Sequence, residues 1–313
     1  MPRTARIKSD NAVFHIMIRS ISEVGLFKSD KDKAVYLKLM KKYQNLYRFK
    51  VYAYCLMNNH AHFIIYTNGA DISRIMHGTN LSYARYFNKS YGRHGHLFQD
   101  RFKSKMVASD RYLRVLSTYI HYNPKDLEGF EDRPEKYSFS SLPVFLNEKK
   151  DQTGLLDIEF INAFFRLDTM RSNISSPLTK EYMDYMHNFS ESQLQREMEF
   201  NGECSEYVNS RKPLIRNFSE SIAINYIIEK TGIFKWMLYA NNNREALNSR
   251  AMLVLLLRSF CDFRCADICR ILGNITQARV SSLTRTGLEL VKNNLSYRNL
   301  IEEFLSTYSA ISL

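Results

Sequence analysis

Cysteine is scarce in this sequence, and the cysteines present do not pair. Cys55, Cys204, Cys261, Cys265 and Cys269 make an odd number in 313 residues, and no two stand in a CxxC spacing. A disulfide framework is therefore not expected, and a reducing, cytoplasmic setting is. No apolar run approaches the roughly 20 residues of a membrane span, so no membrane partner is expected. Met1-Pro2-Arg3-Thr4-Ala5-Arg6 leads into no apolar signal core. A GxxxxGK[ST] phosphate loop is missing too, which argues against ATP-driven chemistry. Acidic residues are short in one half only. Residues 1–150 carry 26 Lys/Arg against 13 Asp/Glu, whereas the remainder carries 18 against 19. Seven of the eight histidines lie in that basic half. A basic half rich in Tyr and Phe suits an electrostatic and stacking surface for nucleic acid. With 45% hydrophobic and 24% charged residues, the chain is otherwise an ordinary globular protein, long enough for two or three domains.

The stretch Tyr54 to Tyr66 reads as a hairpin. Phe49 to Met57 and His60 to Tyr66 are aromatic and apolar, and they meet at Asn58-Asn59, a pair that tolerates the positive φ angles of a two-residue turn. Side chains alternate along a strand, so His60, His62 and Ile64 share one face and Ala61, Phe63 and Ile65 the other. Two imidazoles then stand roughly 7 Å apart along the strand, a spacing that suits one divalent metal between them. A lone His-x-His is more often a pair of strand histidines, so the rest of the chain has to decide.

Val13 to Arg19 reads as a strand, and Ser29-Asp30 opens a helix through Leu46. After the hairpin, Asp71 to Ser90 is a helix whose other face carries Arg74, Asn80, Arg85 and Lys89. Tyr91 to His96 is a glycine-broken loop, and Phe102 to Val107 a strand. Ser109-Asp110 can cap a third helix, which Asn123-Pro124 ends after Tyr122. Strand, helix, strand, strand, helix, strand, helix is the split βαβ order of a ferredoxin-like α+β sheet with one helix added. Two helices would cover one sheet face. The third is expected near the face that holds the imidazoles.

That third helix offers a nucleophile. Tyr119 and Asn123 stand four apart and share a face, so a phenol and a metal-ligating amide project together. Tyr122 points partly the same way and Tyr112 lies two turns earlier, so spacing alone leaves three tyrosines open. His121 falls on a different side of the helix and is left out of the metal site.

Three motifs together resemble one family. They are Leu56-Met57-Asn58-Asn59-His60-Ala61-His62, the stretch Gly95 to Ser104 (GHLFQDRFKS), and Tyr119-Ile120-His121-Tyr122-Asn123-Pro124. In order and spacing they resemble the HUH-endonuclease single-tyrosine transposases, most closely the REP-associated tyrosine transposases of bacteria, over roughly residues 8–145. The resemblance implies a ferredoxin-like fold, a divalent metal on His60 and His62, Asn123 as third ligand, and Tyr119 as nucleophile. Many insertion-sequence relatives carry Gln at the third-ligand position; Asn there resembles the REP-associated branch.

The chemistry so implied is cleavage and rejoining of single-stranded or hairpin DNA through a 5′-phosphotyrosine, with Mg²⁺ or Mn²⁺ as the ion. Arg19, Arg93, Arg101, Lys103 and Lys105 are the candidate phosphate contacts. His15, His94 and His96 are read either as DNA contacts or as ordinary strand and loop residues. The alternative is a catalytically inactive DNA-binding regulator that uses the same basic groove.

The charge balance changes after Ser138-Phe139-Ser140-Ser141. Lys149 to Gly154 reads as a linker, Asp157 to Phe165 as a short amphipathic helix, and Leu178 to Glu199 as polar and helical. From Ser219 the spacing turns strongly helical, and Ala251 to Phe260 reads as a buried helix. Arg264 to Asn274 followed by Ile275 to Ser282 has helix-turn-helix grammar, with Gly273 at the turn. The segment resembles the C-terminal DNA-binding domain of the replication initiator DnaA, over roughly residues 219–311, although its second helix departs from that signature. Gln277, Arg279 and Arg285 would then reach duplex DNA. Cys261, Cys265 and Cys269 recur every four residues, which fits small core residues on one helix face better than a thiolate metal site.

The expected organisation is therefore a nuclease domain at 1–148, a helical linker region at 149–218, and an all-α domain at 219–313. DNA is the expected partner at both ends, and a homodimer is left open.

Overall fold

The computed structural model describes residues 12–161 apart from 22, 23 and 108; residues 163, 182, 183 and 186; and residues 218–309 apart from 241, 242, 244, 262 and 274. Most of the stretch expected as a helix from Leu178 to Glu199 lies outside the described residues. So does the end of the helix expected from Asp157 to Phe165.

Alternation sets the first strand. In β1, Val13–Arg19, the apolar Phe14, Ile16 and Ile18 alternate with His15, Met17 and Arg19. Helix α1, Asp30–Tyr47, begins where Ser29 and Asp32 cap each other. The Ser29 N–H donates to Asp32 Oδ2 at 3.1 Å, and the Asp32 N–H donates to Ser29 Oγ at 3.3 Å. The same carboxylate accepts the hydroxyls of Tyr86 and Tyr91, at 3.0 and 2.7 Å, which ties α1 to the next helix. Strands β2, Lys50–Leu56, and β3, His60–Tyr66, form the hairpin. Helix α2, Ile72–Ser90, starts at Asp71, whose side chain accepts the Ser73 N–H. Strand β4, Lys103–Met106, and helix α3, Asp110–Tyr122, complete the series, with Ser109 Oγ capping α3 at the Tyr112 N–H.

The four strands lie in the order β2-β3-β1-β4, and every pair is antiparallel. This is the ferredoxin-like arrangement. Helices α1 and α2 take the face of Ala61, Phe63 and Ile65, where the Tyr36 ring of α1 lies tilted to Phe63 and edge-on to Tyr83 of α2, at 5.8 and 5.1 Å between ring centres. Helix α3 takes the opposite face, the face of His60 and His62. Apolar Leu113, Leu116 and Ile120 bury its inner side. Pro124 has no N–H to continue the helix, and the chain passes into a 3-10 turn at Asn123–Asp126.

The hairpin turn differs from the expectation in one respect. Neither Asn58 nor Asn59 has a positive φ. The turn is held from outside instead: the Phe27 N–H donates to the Asn58 carbonyl at 3.0 Å, and the Ser20 N–H to that of Asn59 at 3.1 Å. These bonds substitute for the intrinsic preference of a primed turn.

Past α3, the chain covers the outer edge of β2. The Leu56 N–H donates to the Phe139 carbonyl, and Ser141 bonds both backbone groups of Tyr54. A short helix α4, Leu142–Phe145, follows. Residues expected in the linker region also lie here: Leu156 bridges Val51, and Phe160 stacks on Tyr52 at 3.7 Å. An otherwise open sheet edge is thereby occupied.

Contacts divide the chain into two compact units, Met1–Gln44 with Phe49–Arg211, and Asn45–Arg48 with Lys212–Leu313. The second is helical: α5 Glu220–Thr231, α6 Lys235–Tyr239, α7 Leu247–Ser259, α8 Cys265–Leu272, α9 Gln277–Asn293 and α10 Leu295–Ser309. The apolar run read as a buried helix is α7, buried from Ser249 to Leu257. Gly287 of α9 lets the two backbones approach so closely that a Cβ there would sit 2.7 Å from the Ala251 carbonyl oxygen. The four described cysteines are free. No helix among the described residues is long and apolar enough to cross a membrane.

Gly287→Ala should destabilise the helical unit by about 1–3 kcal/mol, the usual cost of overpacking. Urea unfolding followed by circular dichroism measures it. An unchanged midpoint would mean that α7 and α9 are not in this contact.

Candidate functional site

Pairing of β1 with β3 builds the floor of the site. Arg19 lies opposite His60, Met17 opposite His62, and His15 opposite Ile64. All six side chains share the face under α3. The rings of His60 and His62 stand 5.0 Å apart and nearly perpendicular.

Each ring has a partner on Nδ1. His60 Nδ1 lies 2.6 Å from Asn59 Oδ1, an acceptor, so His60 donates from Nδ1 and keeps a lone pair on Nε2. His62 Nδ1 lies 2.9 Å from His15 Nε2. Burial lowers the pKa of His62 well below the ordinary imidazole value, and the neighbouring His15 and His60 add to the effect. Burial also brings His15 down to about 3, with Lys105 contributing. His60 is lowered by burial; Asn123 and Asp126 oppose the shift and Arg19 adds to it. Neutral imidazoles are the form that binds metals.

Helix α3 brings the remaining groups. The Tyr119 ring stands edge-on to His62 at 5.5 Å and to His15 at 6.3 Å. One turn on, Asn123 Nδ2 donates to the Tyr119 carbonyl at 2.8 Å, which turns Oδ1 toward His60 Nε2 at 3.4 Å. In the tautomer that donates to Asn59, the His60 Nε2 lone pair faces the Asn123 oxygen. Adjacent corners of an octahedral shell with bonds of about 2.1 Å lie about 3 Å apart, so the pair has the spacing of two metal ligands. Among the described residues no group of three or more His, Cys, Asp or Glu could hold a metal. The groups here that could hold an ion are the imidazoles of His60 and His62 and the amide of Asn123, none of them charged. Of the three tyrosines left open by spacing, Tyr119 is the one whose ring stands against His62. Burial and Asp126 raise its pKa above the usual phenol value.

The basic residues fall in different places. Arg19 and Met17 of β1, Lys103 of β4, and Gln99, Asp100 and Arg101 from the loop before β4 line a recess of about 430 Å³; of these, β1 is the strand paired with that of His60 and His62. Gln99, Asp100 and Arg101 also line a larger open groove of about 1200 Å³ between α2 and the loop before β4. Arg93, His94 and His96 belong to that groove, opposite Arg74, Asn80 and Arg85 of α2. Lys105 lies opposite His15 on the sheet, with its ammonium 5.2 Å from the Tyr112 ring centre. Gln277, Arg279 and Arg285 are exposed on α9 of the helical unit.

Sequence reasoning left out one group and left the role of another open. Asp126 follows Asn123 by three and supplies the negative field at Tyr119; with an exposed Asp after Pro-Lys, no pattern marked it. His15, left open between a DNA contact and an ordinary strand residue, is a fully buried strand residue. Its place two residues from Met17, the partner of His62, was available only once the register was known. His121, which spacing sets on a different side of α3, is engaged elsewhere. It is buried between Tyr182 and Ser141, with Nδ1 2.6 Å from the phenol oxygen and Nε2 2.7 Å from Oγ.

His121→Ala would strand the Tyr182 hydroxyl, Ser141 keeping its bonds to Tyr54, and leave a cavity, at a cost of about 3 kcal/mol. Urea denaturation should show the loss. A shift below about 1 kcal/mol would mean that the bridge does not hold α3 to the β2 edge.

Residues 8–123 match the family model described as transposase, IS200 like. A solved structure of a REP-associated tyrosine transposase bound to a REP hairpin aligns with a TM-score of 0.41 at 16% identity, covering 50% of this chain and 90% of that one. No curated protein sequence matches. The matched span opens ahead of His15 and closes on Asn123, enclosing both imidazoles, the phenol and the recess beside them, so the similarity of this chain to the IS200-like transposases falls on the residues of the site.

Proposed function

We propose that the protein is a metal-dependent DNA strand transferase and endonuclease that works through a phosphotyrosine on Tyr119. The observation that carries this reading is that one sheet face holds both the Tyr119 ring, edge-on to His62, and a His60–Asn123 donor pair 3.4 Å apart.

In this reading Arg19, Arg101 and Lys103 draw a DNA phosphate into the recess beside the imidazoles, and the groove along α2 takes the flanking strand past Arg93. The site is recessed under α3, so the strand must be splayed from its partner to reach it; single-stranded or hairpin DNA meets that condition. A Mg²⁺ or Mn²⁺ ion on His60, His62 and Asn123 would polarise the scissile phosphate and neutralise charge that develops on its oxygens. The Tyr119 oxygen attacks phosphorus and gives up its proton. The P–O3′ bond breaks, and the departing oxygen takes a proton to become a 3′-hydroxyl. The 5′-phosphate stays esterified to Tyr119, which conserves the bond for attack by another 3′-hydroxyl. With no carboxylate in the donor set, the ion relies on the DNA phosphate for charge, so DNA should tighten metal binding. In the helical unit, Gln277 and Arg279 at the start of α9 and Arg285 at its middle are proposed to read duplex DNA in the manner of a helix-turn-helix.

Tyr119→Phe should abolish the covalent adduct with labelled single-stranded DNA in Mn²⁺ and leave DNA affinity unchanged, whereas Tyr122→Phe keeps the adduct. Adducts that persist in Tyr119→Phe would assign the chemistry elsewhere. Failure of the unmodified protein to cleave any DNA would favour a regulator that only binds. The raised pKa of Tyr119 keeps the phenol protonated at neutral pH, so adduct formation should climb with pH from 6 to 9. Asp126→Asn, which removes a charge that raises that pKa, should move the climb to lower pH at saturating Mn²⁺. A profile that Asp126→Asn moves upward would contradict the electrostatic account.

A further inference from the structure

His15 is wholly buried, and its Nε2 lies 2.9 Å from Nδ1 of His62. Two imidazole nitrogens at that distance share one proton, and there are two ways to place it. If His15 holds it, a neutral His62 carries its own proton on Nε2 and has no lone pair to offer there. If His62 holds it on Nδ1, the Nε2 lone pair is available.

We propose that His15 is a positioning residue whose Nε2 accepts the His62 Nδ1 proton and so fixes His62 in the tautomer that presents its Nε2 lone pair. The consequence for an ion rests on the metal site proposed above; the tautomer itself does not. Asn59 supports the assignment, because it does for His60 what His15 would do for His62: each ring has its Nδ1 engaged, by the turn in one case and by β1 in the other. Outer partners of this kind set both the tautomer and the orientation of a ligating imidazole. The support is rigid. His15 sits in the middle of β1, paired on one side with β3 and on the other with β4. Its ring lies 26° from the plane of His62, and the Tyr119 ring stands edge-on against both, which hinders rotation of either.

Long-range ¹H–¹⁵N NMR of the metal-free full chain reads the tautomer directly. His62 should carry its proton on Nδ1; a proton on Nε2 would overturn the proposal. Mn²⁺ affinity, followed by the electron paramagnetic resonance of the free ion, gives a second readout. His15→Leu should weaken Mn²⁺ binding by about 10- to 100-fold. His15→Gln, whose amide oxygen can accept the same proton, should recover most of the loss. A folded His15→Leu protein that binds Mn²⁺ as tightly as the unmodified chain would refute the role. If His15→Leu shows no cooperative thermal transition, the tautomer in the unmodified protein decides. Absence of Mn²⁺ binding by the unmodified protein, with His62 protonated on Nδ1, would remove the metal site and leave the positioning role standing.

Discussion

The register of β3 against β1 is the constraint on which the site depends. Met17 opposite His62 and Arg19 opposite His60 put two imidazoles, a buried histidine and a guanidinium on one face. A slip of one residue would send both ligand candidates into the aromatic layer under α1 and α2 and bring Ala61 and Phe63 beneath α3. Burial opposes such a slip from both sides. Phe63 and Ile65 are fully enclosed on one face, and His62 is only 2% exposed on the other. The hairpin turn adds a third restraint, since Phe27 and Ser20 clamp its two carbonyls.

Electrostatics follows from that burial. The imidazoles are held neutral chiefly by desolvation, and the amide of Asn123 adds no charge. The floor of the site is therefore made of uncharged donors, while Arg19, Arg101 and Lys103 gather at the recess beside it. Such a division suits an anionic substrate: attraction comes from the cationic side chains, Arg19 beside His60 among them, and the imidazole and amide donors themselves carry no charge. Asp126 is the exception, and it acts on both Tyr119 and His60.

Much of this could be read in the chain. The periodicities gave β1, α1, α2 and α3 nearly to the residue, because each has a cap or an alternation that physics enforces locally. Ser29 with Asp32, Asp71 and Ser109 are such caps. The pairing of Tyr119 with Asn123 followed from helical spacing. What could not be read depends on contacts distant in sequence. The conformation at Asn58-Asn59 is imposed by residues more than thirty positions away, at Phe27 and Ser20. Likewise, His15 looks like any strand histidine until the register sets it beside His62, and the covering of the β2 edge by residues 139–156 has no local signature. Residues 8–123 and the helical unit also differ in how far spacing leads: motifs spread along a chain can name a site, whereas exposed residues at the start of α9 show only that a surface is available.

The central claim is that one phenol, placed by α3 over the imidazole pair, forms the bond to DNA. Mass spectrometry of the trapped protein–DNA adduct after nuclease and trypsin digestion tests it most directly. The account predicts a nucleotide remnant on the peptide running from residue 115 to 125, with fragment ions that place it on Tyr119. A remnant on Tyr122, on Tyr112 or on any residue outside that peptide would contradict it.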